Sequence, residues 1–256
     1  MLTVSASFTP HLITAAQDDL TGIPLNDLLK KVTQHQLVLL RGFKQLAKDR
    51  LLEYLQSQAS LLHWDSGPVM EMRVDKRKPN YLFTEGDVPL HWDGAFHQEP
   101  RFLFFHCLKA PLPQCGGETL FVNTQQIWDT ANAGQQAAWR HYLFSFKTEK
   151  RVHYGGAIVR PMVTRHPDTG KTILRFAEPV GEDYLNPVDV QVLGKEKSES
   201  EAILASLSDV MRDPLHCHEH RWQEGDYLIA DNFALLHGRN AFSQHSPRHL
   251  RRIQIL

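Results

Sequence analysis

The chain has 256 residues, 42% hydrophobic and 22% charged, which is ordinary for a globular protein and long enough to bury a large core without disulfides or a partner. Lys and Arg number 28 against 29 Asp and Glu, and a net charge of −1 gives no overall attraction to nucleic acid or an anionic membrane surface. No apolar run approaches the ~20 residues of a membrane span, the three cysteines (Cys107, Cys115, Cys217) cannot all pair with one another, and the first basic residue is Lys30, so a cytoplasmic protein with reduced thiols and no secretory leader is expected.

In chain order, Leu37–Leu40 reads as a buried strand, and Gln45–Ala59 carries Leu46, Leu51, Leu52 and Leu55 at helical spacing. Strand-like runs follow at Val69–Val74, Phe102–Leu108 and Thr119–Val122, the last leading into a short helix near Asn123–Thr124 that carries Ile127 and Trp128. Tyr142–Phe146 and Thr172–Phe176 are again strand-like. Ser198–Met211 opens on Ser198 and Glu201, the S-x-x-E of a capping box, and sets Ile203, Leu204, Leu207, Val210 and Met211 on one face. Tyr227–Ala230 and His249–Leu256 complete the strands, and turn signals such as Pro111-Leu-Pro113 and Pro167-Asp-Thr-Gly170 separate the runs. Without a linker, repeat or low-complexity stretch, residues 1–256 are expected to form one domain. Many strands with few, peripheral helices predict a mainly β sandwich or barrel rather than a doubly wound parallel sheet.

Histidine is the unusual residue, at 15 copies, and its placement carries the chemistry. In His91-Trp92-Asp93-Gly94, residues two apart on an extended segment point the same way, so His91 and Asp93 can present an imidazole and a carboxylate to one point. His237, at the end of an apolar run before Gly238, supplies a third group. Two histidines and one carboxylate make the facial triad of non-haem iron oxygenases, which leaves the opposite positions open for ligands. Eleven residues on comes Arg248. If His249–Leu256 is a strand, Arg248, Leu250 and Arg252 share a face and Arg251 points away. A guanidinium facing inward demands a carboxylate, which a dicarboxylate cosubstrate can supply, and the Thr119 hydroxyl can reach the same ligand.

Leu90-His-Trp-Asp-Gly94, Gly116-Gly-Glu-Thr119 and His237 with Arg248 together resemble the TauD/TfdA family of Fe(II)- and 2-oxoglutarate-dependent dioxygenases. The resemblance implies a double-stranded β-helix (a cupin-like jelly roll) with peripheral helices, Fe(II) on His91, Asp93 and His237, 2-oxoglutarate on Thr119 and Arg248, and O₂ as co-reactant. A narrower set of segments resembles the PvcB-type isonitrile-modifying oxygenases: Val88-Pro-Leu-His-Trp-Asp-Gly94, Phe105-His-Cys107, Ile173-Leu-Arg-Phe176, Ile229-Ala-Asp-Asn232 and Pro247-Arg-His-Leu-Arg-Arg252. It implies oxidation at the benzylic carbon of a tyrosine- or tryptophan-derived isonitrile and leaves open whether the carboxylate is kept or lost. A benzylic radical stabilised by the ring favours an alkene over an alcohol, and of the two alkenes the vinyl isonitrile without the carboxylate is the expected one.

For that substrate Arg175 and Arg252 are candidate carboxylate partners, and Tyr81, Phe83, Phe96, His153 and Tyr154 are candidate walls of an aromatic pocket. His216-Cys-His-Glu-His220 is a rival metal cluster, for which a solvated polar turn is the plainer account. Two other functions compete: hydroxylation of another small carboxylate or sulfonate on the same fold, and a non-enzymatic cupin-like binder of a metal or small molecule.

Overall fold

The computed structural model describes residues 6–78, 80–151 and 154–256, without the side chains of Arg151 and Tyr154. The chain begins with β1 (His11–Thr14), α1 (Leu25–His35), β2 (Leu37–Arg41), α2 (Lys48–Gln56), β3 (Val69–Met72) and β4 (Val88–His91). Then come β5 (Phe102–Lys109), β6 (Thr119–Asn123), α3 (Thr124–Thr130), α4 (Ala133–Trp139), β7 (Leu143–Arg151), β8 (Tyr154–Pro161), β9 (Val163–Arg165) and β10 (Thr172–Leu174). The remainder is β11 (Asp189–Val192), α5 (Lys197–Met211), β12 (Cys217–His220), β13 (Tyr227–Asp231), β14 (Leu235–Arg239) and β15 (His249–Ile255).

The strands form several sheets with the helices outside them. A six-stranded sheet runs β1-β2-β13-β5-β15-β3 and a four-stranded sheet runs β12-β6-β14-β4; β11-β7-β8 and β10-β9 make smaller ones. Among the described residues, only the β1–β2 pairing is parallel. Burial follows strand alternation. Leu37, Leu39, Leu103, Phe105, Leu228 and Leu250 pack with Phe121 and Leu235, so one face of the large sheet lies on the four-stranded sheet. The other face, with Val38, Leu40, Phe104, Ile229 and Ile253, is covered by Leu25, Leu28 and Val32 of α1 and Leu51 and Leu55 of α2. Beyond the four-stranded sheet, Leu90, Leu120 and Leu236 pack with Phe144, Phe146 and the inward residues of α3 and α5.

Several sequence expectations change in detail. Ser198 does not cap the 197–211 helix: Glu196 is the N-cap residue and gives no side-chain hydrogen bond, while Ser200 instead accepts from the Val192 amide. The expected turn at His216–His220 includes strand β12, paired with β6, and buries His216 and His220. The helices 25–35 and 133–139 lie where no element was expected. The first ends on Gln36 at φ 65°, so the usual glycine stop signal is missing.

Candidate active site

His91 ends β4, and His237 sits opposite it on β14 as its Cα partner, so antiparallel register brings the two imidazoles together. Their rings are 4.3 Å apart. Asp93 leaves β4 two residues later and turns its carboxylate between them, 3.6 Å from His91 Nε2 and 3.5 Å from His237 Nε2. The turn that follows needs Gly94: at φ 88° a Cβ would sit 2.4 Å from the Gln98 carbonyl oxygen. All three ligand-capable atoms lie within 4.8 Å of one another, the one such group among the described residues. His216, His218 and His220 do not form a second.

Surrounding contacts fix each member. His91 Nδ1 meets the Pro89 carbonyl at 2.8 Å, which places its proton there and leaves Nε2 as a lone-pair donor. Asn232 brackets the Asp93 peptide, accepting from its amide and donating to its carbonyl. Gln254 accepts from Trp64 Nε1, so its NH₂ faces and donates to Asp93. Burial works against the Asp93 charge, but Arg252 and the two imidazoles outweigh it and hold the carboxyl well below the usual carboxylate range. Burial, then His91, pushes the His237 imidazole down to about 4, so it is neutral at physiological pH. Its Nε2 is buried with no hydrogen-bond partner. A neutral, unpartnered imidazole nitrogen beside a second imidazole and a carboxylate is the donor set a divalent transition metal takes.

Arg248 is 7% exposed and makes its hydrogen bonds to the Gly117 carbonyl and Thr119 Oγ1, with no carboxylate partner among the described residues. Burial, then Arg239, lowers it to about 9, so it keeps its charge at neutral pH. A buried cation bonded only to neutral oxygens fits an anionic ligand. Thr119 Oγ1 accepts from both Arg248 and Trp222 Nε1, which leaves its own proton to donate. Arg252 donates to Asp93 while its Nε is unpartnered. Arg248, Leu250 and Arg252 line one small cleft with Thr119, His91 and His237, whereas Arg251 turns to Glu71. The expected strand face is therefore present, with a bulge between His249 and Leu250.

A larger cavity of about 350 Å³ adjoins this cleft and shares His91 and Arg252 with it. Its wall is mostly apolar and includes Trp64, Tyr81, Phe83, Trp92, Phe96 and Phe146. Of the expected substrate contacts, Arg252, Tyr81, Phe83 and Phe96 lie here. Arg175 does not. It pairs with Glu99 at 2.9 Å, donates to the carbonyls of Asn232 and Phe233 and lies over the Trp92 ring, a brace behind the wall rather than part of it. His153 lies outside the described residues, as does the side chain of Tyr154. Sequence reasoning missed Asn232 and Gln254. The signal for Gln254 was its place two residues beyond Arg252 on one strand face.

Residues 7–254 match the sequence model of the taurine catabolism dioxygenase TauD, TfdA family. The chain belongs to the TauD/TfdA family. It is an oxidoreductase of the 2-oxoglutarate-dependent dioxygenase type. Among its TauD/TfdA relatives, the 3-((Z)-2-isocyanoethenyl)-1H-indole synthase of Fischerella ambigua is 44% identical over 98% of this chain and 94% of its own length. The tyrosine isonitrile desaturase of Pseudomonas aeruginosa is 35% identical over 91% and 81%. The crystal structure of PvcB from Pseudomonas aeruginosa matches with a TM-score of 0.80 at 31% identity, covering 97% of this chain and 87% of that one.

Proposed function

We propose that this chain is an Fe(II)- and 2-oxoglutarate-dependent oxygenase, built on a double-stranded β-helix core, that desaturates an isonitrile derived from an aromatic amino acid. His91, Asp93 and His237 would hold the iron, and Thr119 and Arg248 the 2-oxoglutarate, with Arg248 on its distal carboxylate. Bound there, Fe(II) would supply O₂ activation coupled to the oxidative decarboxylation of 2-oxoglutarate to succinate and CO₂, providing a two-electron oxidant for the substrate.

The chain's own residues bind and orient. Arg252 pairs the substrate carboxylate at the common wall of cavity and cleft, and the aromatic wall takes the aryl ring and excludes water. Between carboxylate and ring lies the benzylic carbon, whose C–H bonds are the weakest in an arylpropanoate. Loss of a benzylic hydrogen atom and one further electron to that oxidant, with departure of the carboxylate as CO₂, gives an alkene conjugated to the ring. The Fischerella relative's name describes such a product, an isocyanoethenyl indole without a carboxylate, which favours the decarboxylating outcome over simple desaturation.

The observation that carries the reading is the shared wall. An aryl-sized apolar cavity and a cleft with an unpaired buried arginine meet at the triad. Substrate-dependent succinate release tests it: tyrosine- or tryptophan-derived isonitrile should stimulate release well above the uncoupled rate. Stimulation by sulfonates or aryloxyacids alone would assign the site to a different substrate class.

A further inference from the structure

The large cavity contains one polar side chain that the proposed chemistry leaves without a task. Asn186 is 9% exposed, lines the cavity, and its Oδ1 is buried with no hydrogen-bond partner. An unsatisfied amide oxygen in an apolar wall is costly, so such groups mark missing partners. Three other unpartnered atoms lie on the cavity and its cleft: His237 Nε2 and Arg252 Nε, which each face a ligand in the reading above, and Arg239 Nε, whose guanidinium is held by the Leu82, Thr84 and Gly86 carbonyls.

Several of the wall's other polar groups are already engaged. Trp64 Nε1 is spent on Gln254, Trp92 Nε1 on Glu99, and the Asn80 carbonyl on the Leu82 amide. Glu178 serves the Leu90 amide, Ser208 and Arg212. The segment that carries Asn186 is held in place: Val180 and Val188 bridge across it, Leu185 accepts from the Tyr81 amide, and Tyr184 donates to Asp87 at 2.6 Å. Asn186 therefore projects from a braced turn, with φ 75°, a left-handed conformation that asparagine tolerates.

We propose that Asn186 determines specificity for the aryl ring by accepting a hydrogen bond from a ring N–H, which makes indole the preferred ring. This rests on the isonitrile reading and names the ring within it. An indole N–H is a donor with no acceptor, so one amide oxygen satisfies it completely. A phenol is the second-best partner, because its oxygen lone pairs would remain among apolar neighbours. A ring without a donor leaves the amide unpaired and is rejected, and this rejection is the strong form of discrimination available to a binding site.

The test compares kcat/KM for the tryptophan-derived isonitrile and its benzothienyl isostere, which keeps the bicyclic shape and lacks the donor. The wild-type chain should prefer indole by roughly a hundredfold. Asn186→Gly keeps the left-handed turn and removes the amide. It should cut the preference to within about threefold, lowering the indole value and raising the benzothienyl value, which no longer leaves an amide unpaired. Asn186→Asp keeps an acceptor oxygen and should keep indole ahead. A wild type that converts both rings equally overturns the inference without touching the isonitrile reading. So does a preference that survives Asn186→Gly, or a variant in which both values fall together. A wild type that converts neither ring, while releasing succinate with another substrate class, overturns both.

Discussion

At the scale of single residues, the structure separates groups that are spent from groups that wait for a ligand. His237 Nε2 is buried and unpartnered, so His237→Ala, and likewise His91→Ala or Asp93→Ala, should abolish turnover and strongly weaken Fe(II) binding in an anaerobic titration while the fold persists. His218→Ala should leave both intact, because the three histidines of 216–220 do not converge. Full activity in any one triad variant would remove that residue from the metal site. Arg248 and Arg251 give a matched pair. Arg248→Lys keeps a charge but loses the planar two-point contact. At about 1.5–3 kcal/mol for a charged hydrogen bond, apparent 2-oxoglutarate affinity should fall roughly ten- to a hundredfold. Arg251→Lys, on the face toward Glu71, should leave it nearly unchanged. Equal losses in the two variants would mean that the faces of β15 are assigned the wrong way round.

At the scale of elements, the active-site strand is tied to the outer helix through one carboxylate. Glu178 accepts from the Leu90 amide next to His91, from Ser208 in α5 and from Arg212 just beyond it. Burial raises its pKa, but Arg212, Ser208 and the Leu90 amide outweigh that and hold it below the ordinary glutamate value. A depressed carboxyl pKa stabilises the fold at neutral pH, and the contribution is lost as pH falls through the folded-state value. Glu178→Gln should therefore lower unfolding stability by about 2 kcal/mol at neutral pH, with the gap to wild type closing in acid. Urea titrations at neutral and acid pH measure it, and a gap independent of pH would mean that the charge plays no part. Elements also show where the sequence was readable. Leu37–Leu40, Phe102–Leu108 and Thr119–Val122 were legible because buried strands read as continuous apolar runs bounded by turns. The 25–35 helix was not, since Gln36 rather than glycine ends it and it runs straight into β2. Ser198 misled because a capping box is a local pattern, and here α5 starts two residues earlier than the motif requires, with Ser200 accepting from the Val192 amide.

At the scale of the whole molecule, two stacked sheets with helices outside bring together residues far apart in the chain: His91 at the end of one edge strand and Asp93 just beyond it, His237 from the neighbouring strand, and Arg248 and Arg252 just before and within β15 of the facing sheet. The convergence of His91, Asp93 and His237, and the approach of Arg248 to Thr119, were legible because their spacing forms recognisable motifs. The place of Arg175 was not legible, because strand alternation alone does not distinguish a cavity wall from the brace behind it. Only the packed structure shows its guanidinium committed to Glu99 and the 232–233 carbonyls. Asn186 was invisible for a related reason, lying in a turn with no periodicity to give it a facing direction. No helix among the described residues is long and apolar enough to cross a membrane. The central claim is the reaction itself, and product mass tests it most directly. With tryptophan-derived isonitrile, 2-oxoglutarate, Fe(II) and O₂, mass spectrometry should find a product lighter than the substrate by two hydrogens and one CO₂, formed in step with succinate. A product heavier by one oxygen and lacking an alkene would contradict the desaturation account and make the enzyme a hydroxylase.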